Sequence, residues 1–200
     1  MPAPFEIIAA PFTAWWAPIG TAFPLIDAAP AVDWVLIGTN GPLNYSEDGV
    51  TVMHEQQTNE TTPLGSTGAV KAFRTNESQQ ISFTVWDMSL ELYRLGLNSN
   101  EVTTVAAGVG TAGYKSIPLY RGHNVANMAL LIRGASPYAD DMSMQYQIPR
   151  CYQSGSPEPV HQKGNPAGLE FTFRALTDLN AATEDARFGH IIAQHQAALP

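Results

Sequence analysis

Three stretches of this chain alternate apolar and polar residues with a period of two, which commits its centre to strands. Residues 79–86 put Ile81, Phe83 and Val85 on one face and Gln80, Ser82 and Thr84 on the other. Residues 142–148 alternate through Met142, Met144, Tyr146 and Ile148, and residues 169–175 through Leu169, Phe171, Phe173 and Ala175. That period belongs to half-buried strands. Shorter runs extend the pattern. Residues 31–37 (AVDWVLI) end at a Gly38–Gly41 turn signal, and residues 50–56 alternate through Val50, Val52 and His54 after the Asp48-Gly49 turn. Residues 70–74 resume a short strand, and residues 128–132 (MALLI) are apolar throughout, as in a core strand. Weak runs at 102–106 and 115–121 flank a glycine-rich turn at 108–113. One helix is predicted over residues 90–97, capped by Asp87 or Ser89, with Leu90, Tyr93 and Leu97 on one face and Gly96 and Asn98 at its end. Seven or more short strands and one short flanking helix give a mainly β fold, a β-sandwich or barrel, without an internal repeat.

Residues 1–30 stand apart. Pro2, Pro4, Pro11, Pro18, Pro24 and Pro30 argue against both a helix and a central strand. Phe5, Ile7, Ile8, Phe12, Trp15, Trp16, Ile19, Phe23, Leu25 and Ile26 are interleaved with them, which is not the composition of a solvated tail. The segment reads as an extended N-terminal arm that covers either its own domain or a neighbouring subunit. The β domain then spans residues 31–180. The Ala-rich stretch 181–200 reads as a C-terminal arm or short helix. Between the strands at 50–56 and 70–74 lies a polar stretch, residues 57–69, with the single charge Glu60, too long for an ordinary hairpin connection.

Charge narrows the classes of function. The 200 residues are 44% hydrophobic and 14% charged, with a formal charge of −8. That supports a core and disfavours a phosphate-gripping surface. No Lys or Arg precedes Lys71, so no secretory signal is predicted at the start. No apolar run approaches the ~18 residues of a membrane span. The single cysteine, Cys151, allows no internal disulfide, and the chain reads as one folded in a reducing cytosol. The Asn-X-Ser/Thr triplets at Asn44, Asn59 and Asn76 are then coincidental in an Asn/Thr-rich chain.

Candidate chemistry is sparse. His54, His123, His161, His190 and His195 are scattered, and only the last two lie close, at a spacing that does not align on a helix. The Gly-x-Ser-x-Gly elbow is absent. Gly65-Ser-Thr-Gly68 before Lys71 lacks the ending and the strand-to-helix setting of a phosphate loop. Glycines 108, 110 and 113 open no βαβ unit. The pairs Glu47/Asp48, Asp140/Asp141 and Glu184/Asp185 read as loop charges, and Cys151 as a buried thiol. Trp34 and Trp86 read as core. Trp15 and Trp16 could form a sugar platform but fit the arm better. No catalytic residue, cofactor or metal is predicted.

Several stretches, in order, resemble the major tail tube protein of long-tailed, siphovirus-like bacteriophages. They include Ala17-Pro-Ile-Gly-Thr-Ala-Phe-Pro24, Trp34-Val-Leu-Ile-Gly-Thr-Asn-Gly41 and Asp48-Gly-Val-Thr-Val52. Gly65-Ser-Thr-Gly-Ala-Val-Lys-Ala-Phe-Arg-Thr-Asn-Glu77 and Ile81-Ser-Phe-Thr-Val-Trp-Asp-Met-Ser-Leu-Glu-Leu-Tyr93 follow. The last are Leu130-Leu-Ile-Arg-Gly-Ala-Ser-Pro-Tyr138, Lys163-Gly-Asn-Pro-Ala-Gly-Leu169 and Phe173-Arg-Ala-Leu-Thr-Asp178. The resemblance covers about residues 15–195, with an arm longer and richer in proline than a minimal tube subunit needs. It implies a non-catalytic virion protein of the tail, assembled in the host bacterial cytoplasm. Homo-hexameric rings would stack into a tube that encloses the tape measure protein and meets tail terminator or distal tail proteins. DNA would pass through the lumen during ejection without specific binding, and no membrane is involved.

Physical chemistry is compatible with that role. Head-to-tail contacts generate rings or filaments, and unblunted strand edges can join neighbouring sheets. An acidic bore would repel phosphate. The expected contacts between subunits or rings are Trp15, Trp16 and Phe23 in the arm, and Gln57, Thr58, Asn59, Glu60, Thr61, Thr62, Pro63, Leu64, Gly65 and Ser66 in the long connection. That connection is expected to be flexible in the free subunit and to order against the next ring. Alternative readings are a head–tail joining, tail terminator or head decoration protein, or a carbohydrate-binding β-sandwich.

Overall fold

A computed structural model describes residues 6–8 and 10–195. In chain order the strands are β1 (Thr13–Ala17), β2 (Val35–Leu36), β3 (Thr51–Thr61), β4 (Lys71–Val85), β5 (Thr103–Val105), β6 (Tyr114–Ser116), β7 (Asn127–Ser136), β8 (Ala139–Gln153), β9 (Leu169–Ala175) and β10 (His190–Ala193). Helix α1 (Leu90–Gly96) lies between β4 and β5, and single 3-10 turns occur at Gly41–Asn44 and Glu184–Ala186. The protein is mainly β with one helix and one large antiparallel sheet. Its order is β2-β1-β7-β8-β9-β4-β3, with β10 paired to residues 144–147 of β8 while β9 pairs with residues 151–153. Strands β5 and β6 pair apart from it.

The alternating residues meet on the inner face. Ile81, Phe83 and Val85 of β4 pack with Leu169, Phe171 and Phe173 of β9, Ile148 and Cys151 of β8, Met128, Leu130 and Ile132 of β7, and Ala14 of β1. Strands from both ends of the sheet share this cluster, so the sheet curves around its core. Tyr45 links the two ends: it bridges to Val85 and stacks on Phe83 with ring centroids 5.4 Å apart. Its hydroxyl accepts from the Ala14 amide (3.0 Å) and donates to the Ile37 carbonyl (2.8 Å). Leu92 and Leu95 of α1 seal the core.

Strand β7 is apolar on both faces because both are covered. Ala129 and Leu131 point away from the main core and meet Ala17, Trp34, Trp15 and Phe23. The covering segment, residues 18–34, is tied down by side chains of β7 and β8. Arg133 donates to the carbonyls of Ala28 (2.7 Å) and Leu25 (3.0 Å), and Gln145 to that of Pro24 (3.1 Å). The Trp34 indole donates to Ala22 (3.0 Å) and packs on Phe23.

Five expectations change here. Proline density did not keep a strand out of the arm: residues 13–17 contain no proline, and β1 pairs with β7 on one side and β2 on the other. The described part of the arm therefore covers its own domain. Residues 31–37 hold only the two-residue β2, since the segment is held by side chains and turns instead of a ladder. Trp86 is 42% exposed, because the strand ends at Val85 before it. In α1 it is Leu92 and Leu95 that are buried, one residue round from the predicted face, while Leu97 just beyond is buried as expected. Instead of an Ala-rich helix, residues 184–193 form a 3-10 turn and then β10, whose pairing with β8 outweighs helix propensity. Residues 196–200 of that stretch lie outside the described residues.

Candidate assembly surface

Strands β3 and β4 continue well past the sheet. The β4 pairing with β9 ends at Gln80, yet β3 and β4 stay paired down to Thr61 and Lys71. The seven residues from Glu55 to Thr61 carry this two-stranded ribbon about 23 Å outward, at about 3.3 Å per residue. Residues 53–77 are all exposed. Strand formation here rests on cross-strand hydrogen bonds and not on burial, which is why the sequence lacks alternation. A bulge between Gln57 and Thr58 leaves Thr75 without an opposite residue, and its hydroxyl donates to the Gln57 carbonyl (3.1 Å).

Register sorts the ribbon into two faces. One continues the inner side of the sheet and carries His54, Gln56, Arg74 and Glu77, with Arg74 donating to Gln56 (3.1 Å) and Glu77 (3.2 Å). The other carries Glu55, Asn59, Lys71, Phe73 and Ser78. There the Lys71 ammonium lies 4.8 Å from the centre of the Phe73 ring, which is 47% exposed. Strand β3 is also the terminal strand of the sheet, with eleven residues, no proline and two charges, Glu55 and Glu60. Edges of that length are ordinarily blunted by bulges, charges or cover.

Gln57, Thr58, Asn59, Glu60 and Thr61 therefore lie on a paired strand, and Thr62, Pro63, Leu64, Gly65 and Ser66 form the tip, all exposed. The expected connection of residues 57–69 shrinks to residues 62–70 because pairing continues to Thr61 and Lys71. Trp15, Trp16 and Phe23 are not brought to this surface. Trp16 packs on the main core, under the Arg94 guanidinium, and Trp15 and Phe23 pack on the outer-face cluster. Lys71 and Phe73 lie two residues apart on β4 and so share a face, a pairing that the strand predicted at residues 70–74 already implies.

Among solved structures, the chain is similar to the cryo-EM structure of an extracellular contractile injection system, the PVC sheath–tube complex in its extended state. The TM-score is 0.40 at 12% sequence identity, covering 94% of this chain and 91% of that one. No protein-family model matches the chain, and no curated protein does.

Other surfaces were weighed for chemistry. A groove of about 280 Å³ at the ribbon base is lined by His54, Glu77, Gln79, Gln147 and His190, so two histidines far apart in sequence border one groove. Among the described residues no three His, Cys, Asp or Glu side chains converge on a metal position, and no helix is long and apolar enough to cross a membrane. Cys151 is buried with its thiol on the Met128 carbonyl (3.3 Å), and burial pushes its pKa up, away from a nucleophilic thiolate. Burial also pushes up the Asp87 carboxyl, but hydrogen bonds from Thr39 and Ser89 outweigh it and hold the group below its usual range. Exposed Glu91 is held low by Lys115, which ties α1 to the β5–β6 excursion. These groups fix structure.

Proposed function

We propose that this chain is a tube-forming structural subunit of the phage major tail tube type. Six copies would close a ring, rings would stack, and the ribbon of one copy would pack against the next ring. Tape measure protein would occupy the lumen during assembly and DNA would pass through it during ejection, with tail terminator or distal tail proteins at the ends. The site of action would be the virion tail after assembly in the host bacterial cytoplasm.

One observation carries the reading: a long ribbon with both faces in water, extending the terminal strand of the sheet. A two-stranded ribbon is marginal in water alone, and exposed edges invite strand addition. A surface of this form makes sense when another copy covers it. The order of resembling segments, the single helix after the Ile81 strand and the long hairpin before it support the same reading.

Electron microscopy of the concentrated protein tests it. Hollow tubes of uniform width are expected. Closed rings or trimers that never stack would favour a head–tail joining, terminator or decoration protein. A strict monomer at every concentration would remove the assembly reading.

A further inference from the structure

The formal charge is divided very unevenly along the chain. Residues 1–70 hold seven Asp and Glu and no Lys or Arg, so −7 of the total −8 falls there. All ten Lys and Arg lie from Lys71 onward. Identical copies that associate must bring surfaces of opposite or neutral charge together, since like-charged juxtaposition is costly.

Two apolar surfaces outside the ribbon differ in this respect. The covering segment, residues 18–34, turns its inner side to β7 but leaves Leu25 (74% exposed), Val32 (95%) and, just beyond it, Val35 in water beside the exposed Asp33. The second is the excursion between α1 and β7, residues 97–126. Its β5–β6 pair has no core of its own, and Tyr114, Leu119 and Tyr120 (74%) are exposed. It is nevertheless held in place. Asn98 donates to the Arg121 and Asn124 carbonyls and accepts from the Ala126 amide, while Asn100 donates to Pro118 and Tyr120. Its cations are Lys115, engaged with Glu91, and Arg121, which has no ion pair among the described residues.

We infer that the excursion of one copy docks on the covering segment of the next, with Tyr120 and Leu119 against Val32 and Val35 and Arg121 facing Asp33. The two surfaces are different parts of the chain, so the contact is heterologous and repeats head to tail. The excursion is an anchored limb with exposed aromatics, as interface anchors are. Its acidic, apolar counterpart, residues 18–35, contributes no Lys or Arg of its own. This inference rests on the reading that copies of the chain assemble, and adds the partner surfaces.

Charge reversal tests it. Asp33→Arg and Arg121→Glu are each expected to raise the concentration for half-assembly about tenfold or more in sedimentation velocity, with unchanged circular dichroism. The double reversal is expected to recover most of the loss. Single variants that assemble like the wild type, or a double variant no better than either single, overturn the contact while leaving assembly standing. A wild type that never assembles overturns both. A second measurement does not depend on those variants folding: Val32→Cys and Tyr120→Cys proteins are mixed under mild oxidation, Cys151 being buried. A 32–120 cross-link is expected, and its absence from assembled material overturns the proposal.

Discussion

Arg133 and Gln145 face each other across β7 and β8, and the Gln145 side-chain oxygen takes two hydrogen bonds from the guanidinium, at 3.1 and 2.7 Å. Gln145 is fully buried beneath residues 24–28, whose carbonyls complete the network. Desolvation holds the Arg133 pKa down, against the pull of Asp27. Removing one member leaves buried groups unpaired, so Arg133→Leu or Gln145→Leu is expected to cost about 2–4 kcal/mol. The double variant should cost less than the two singles combined, because the orphaned partner goes with it. Chemical denaturation measures both. Limited proteolysis should show earlier cleavage within residues 18–34 in either single variant.

Tyr45 gives the fold a pH limit. Burial raises its pKa well above the ordinary phenol value, although its hydrogen bond with Ala14 opposes this. The unfolded chain loses this proton near pH 10 while the native state keeps it, so the native state binds more protons. Stability is therefore complete below about pH 10 and falls as pH rises beyond it. Cys151 acts in the same direction from about pH 8.5. Thermal unfolding from pH 8 to 11 should slope downward, and Tyr45→Phe should flatten the portion above pH 10. The same variant should be less stable by about 1–3 kcal/mol at neutral pH, since the Ala14 amide and Ile37 carbonyl lose their partner.

Excising residues 58–75 and joining the paired Gln57 and Asn76 through Asn-Gly, a two-residue hairpin turn, should separate folding from assembly. Every excised residue is exposed, and the core cluster contains none of them. Secondary structure and thermal midpoint should stay near the wild-type values. Tubes should be lost, as scored by electron microscopy and sedimentation. A shortened protein that still forms tubes would show that the ribbon is dispensable.

What was legible from the sequence followed burial. Strand β9 begins and ends where its alternation does, because one face meets the core and the other meets polar surroundings. The apolar run at 128–132 marked a strand but not the reason for its two apolar faces, which depends on residues 18–34 folding back over Ala129 and Leu131. Proline density averaged over the whole arm hides strand β1, because each proline acts only near its own position and residues 13–17 contain none. The ribbon was half hidden for the opposite reason: without a buried face, residues 57–61 leave no periodic trace.

Asn98 has φ +63° and Ser99 follows at +60°, an unusual pair for residues with side chains. Asparagine tolerates that conformation, and here its side chain also makes three hydrogen bonds to the returning limb. Asn98→Gly should keep the backbone and lose the pin, whereas Asn98→Ala should lose both. Stability losses of about 1–3 kcal/mol are expected, larger for alanine. Amide exchange should rise across residues 121–126 in both.

Gly189 sets the entry to β10. Its φ is +101°, and a Cβ there would sit 1.8 Å from the Gln147 carbonyl oxygen, backbone that cannot step aside while Gln147 pairs with His190. Gly189→Ala should therefore detach β10 without unfolding the core, because His190, Ile191 and Ile192 are exposed and belong to no core cluster. Hydrogen exchange should lose protection at residues 190–193 and at residues 144–147 of β8, while β9 and the inner part of β4 stay protected. Loss of protection throughout the sheet would instead make β10 part of the cooperative core, and wild-type exchange would mean that the backbone around Gln147 can yield to a side chain.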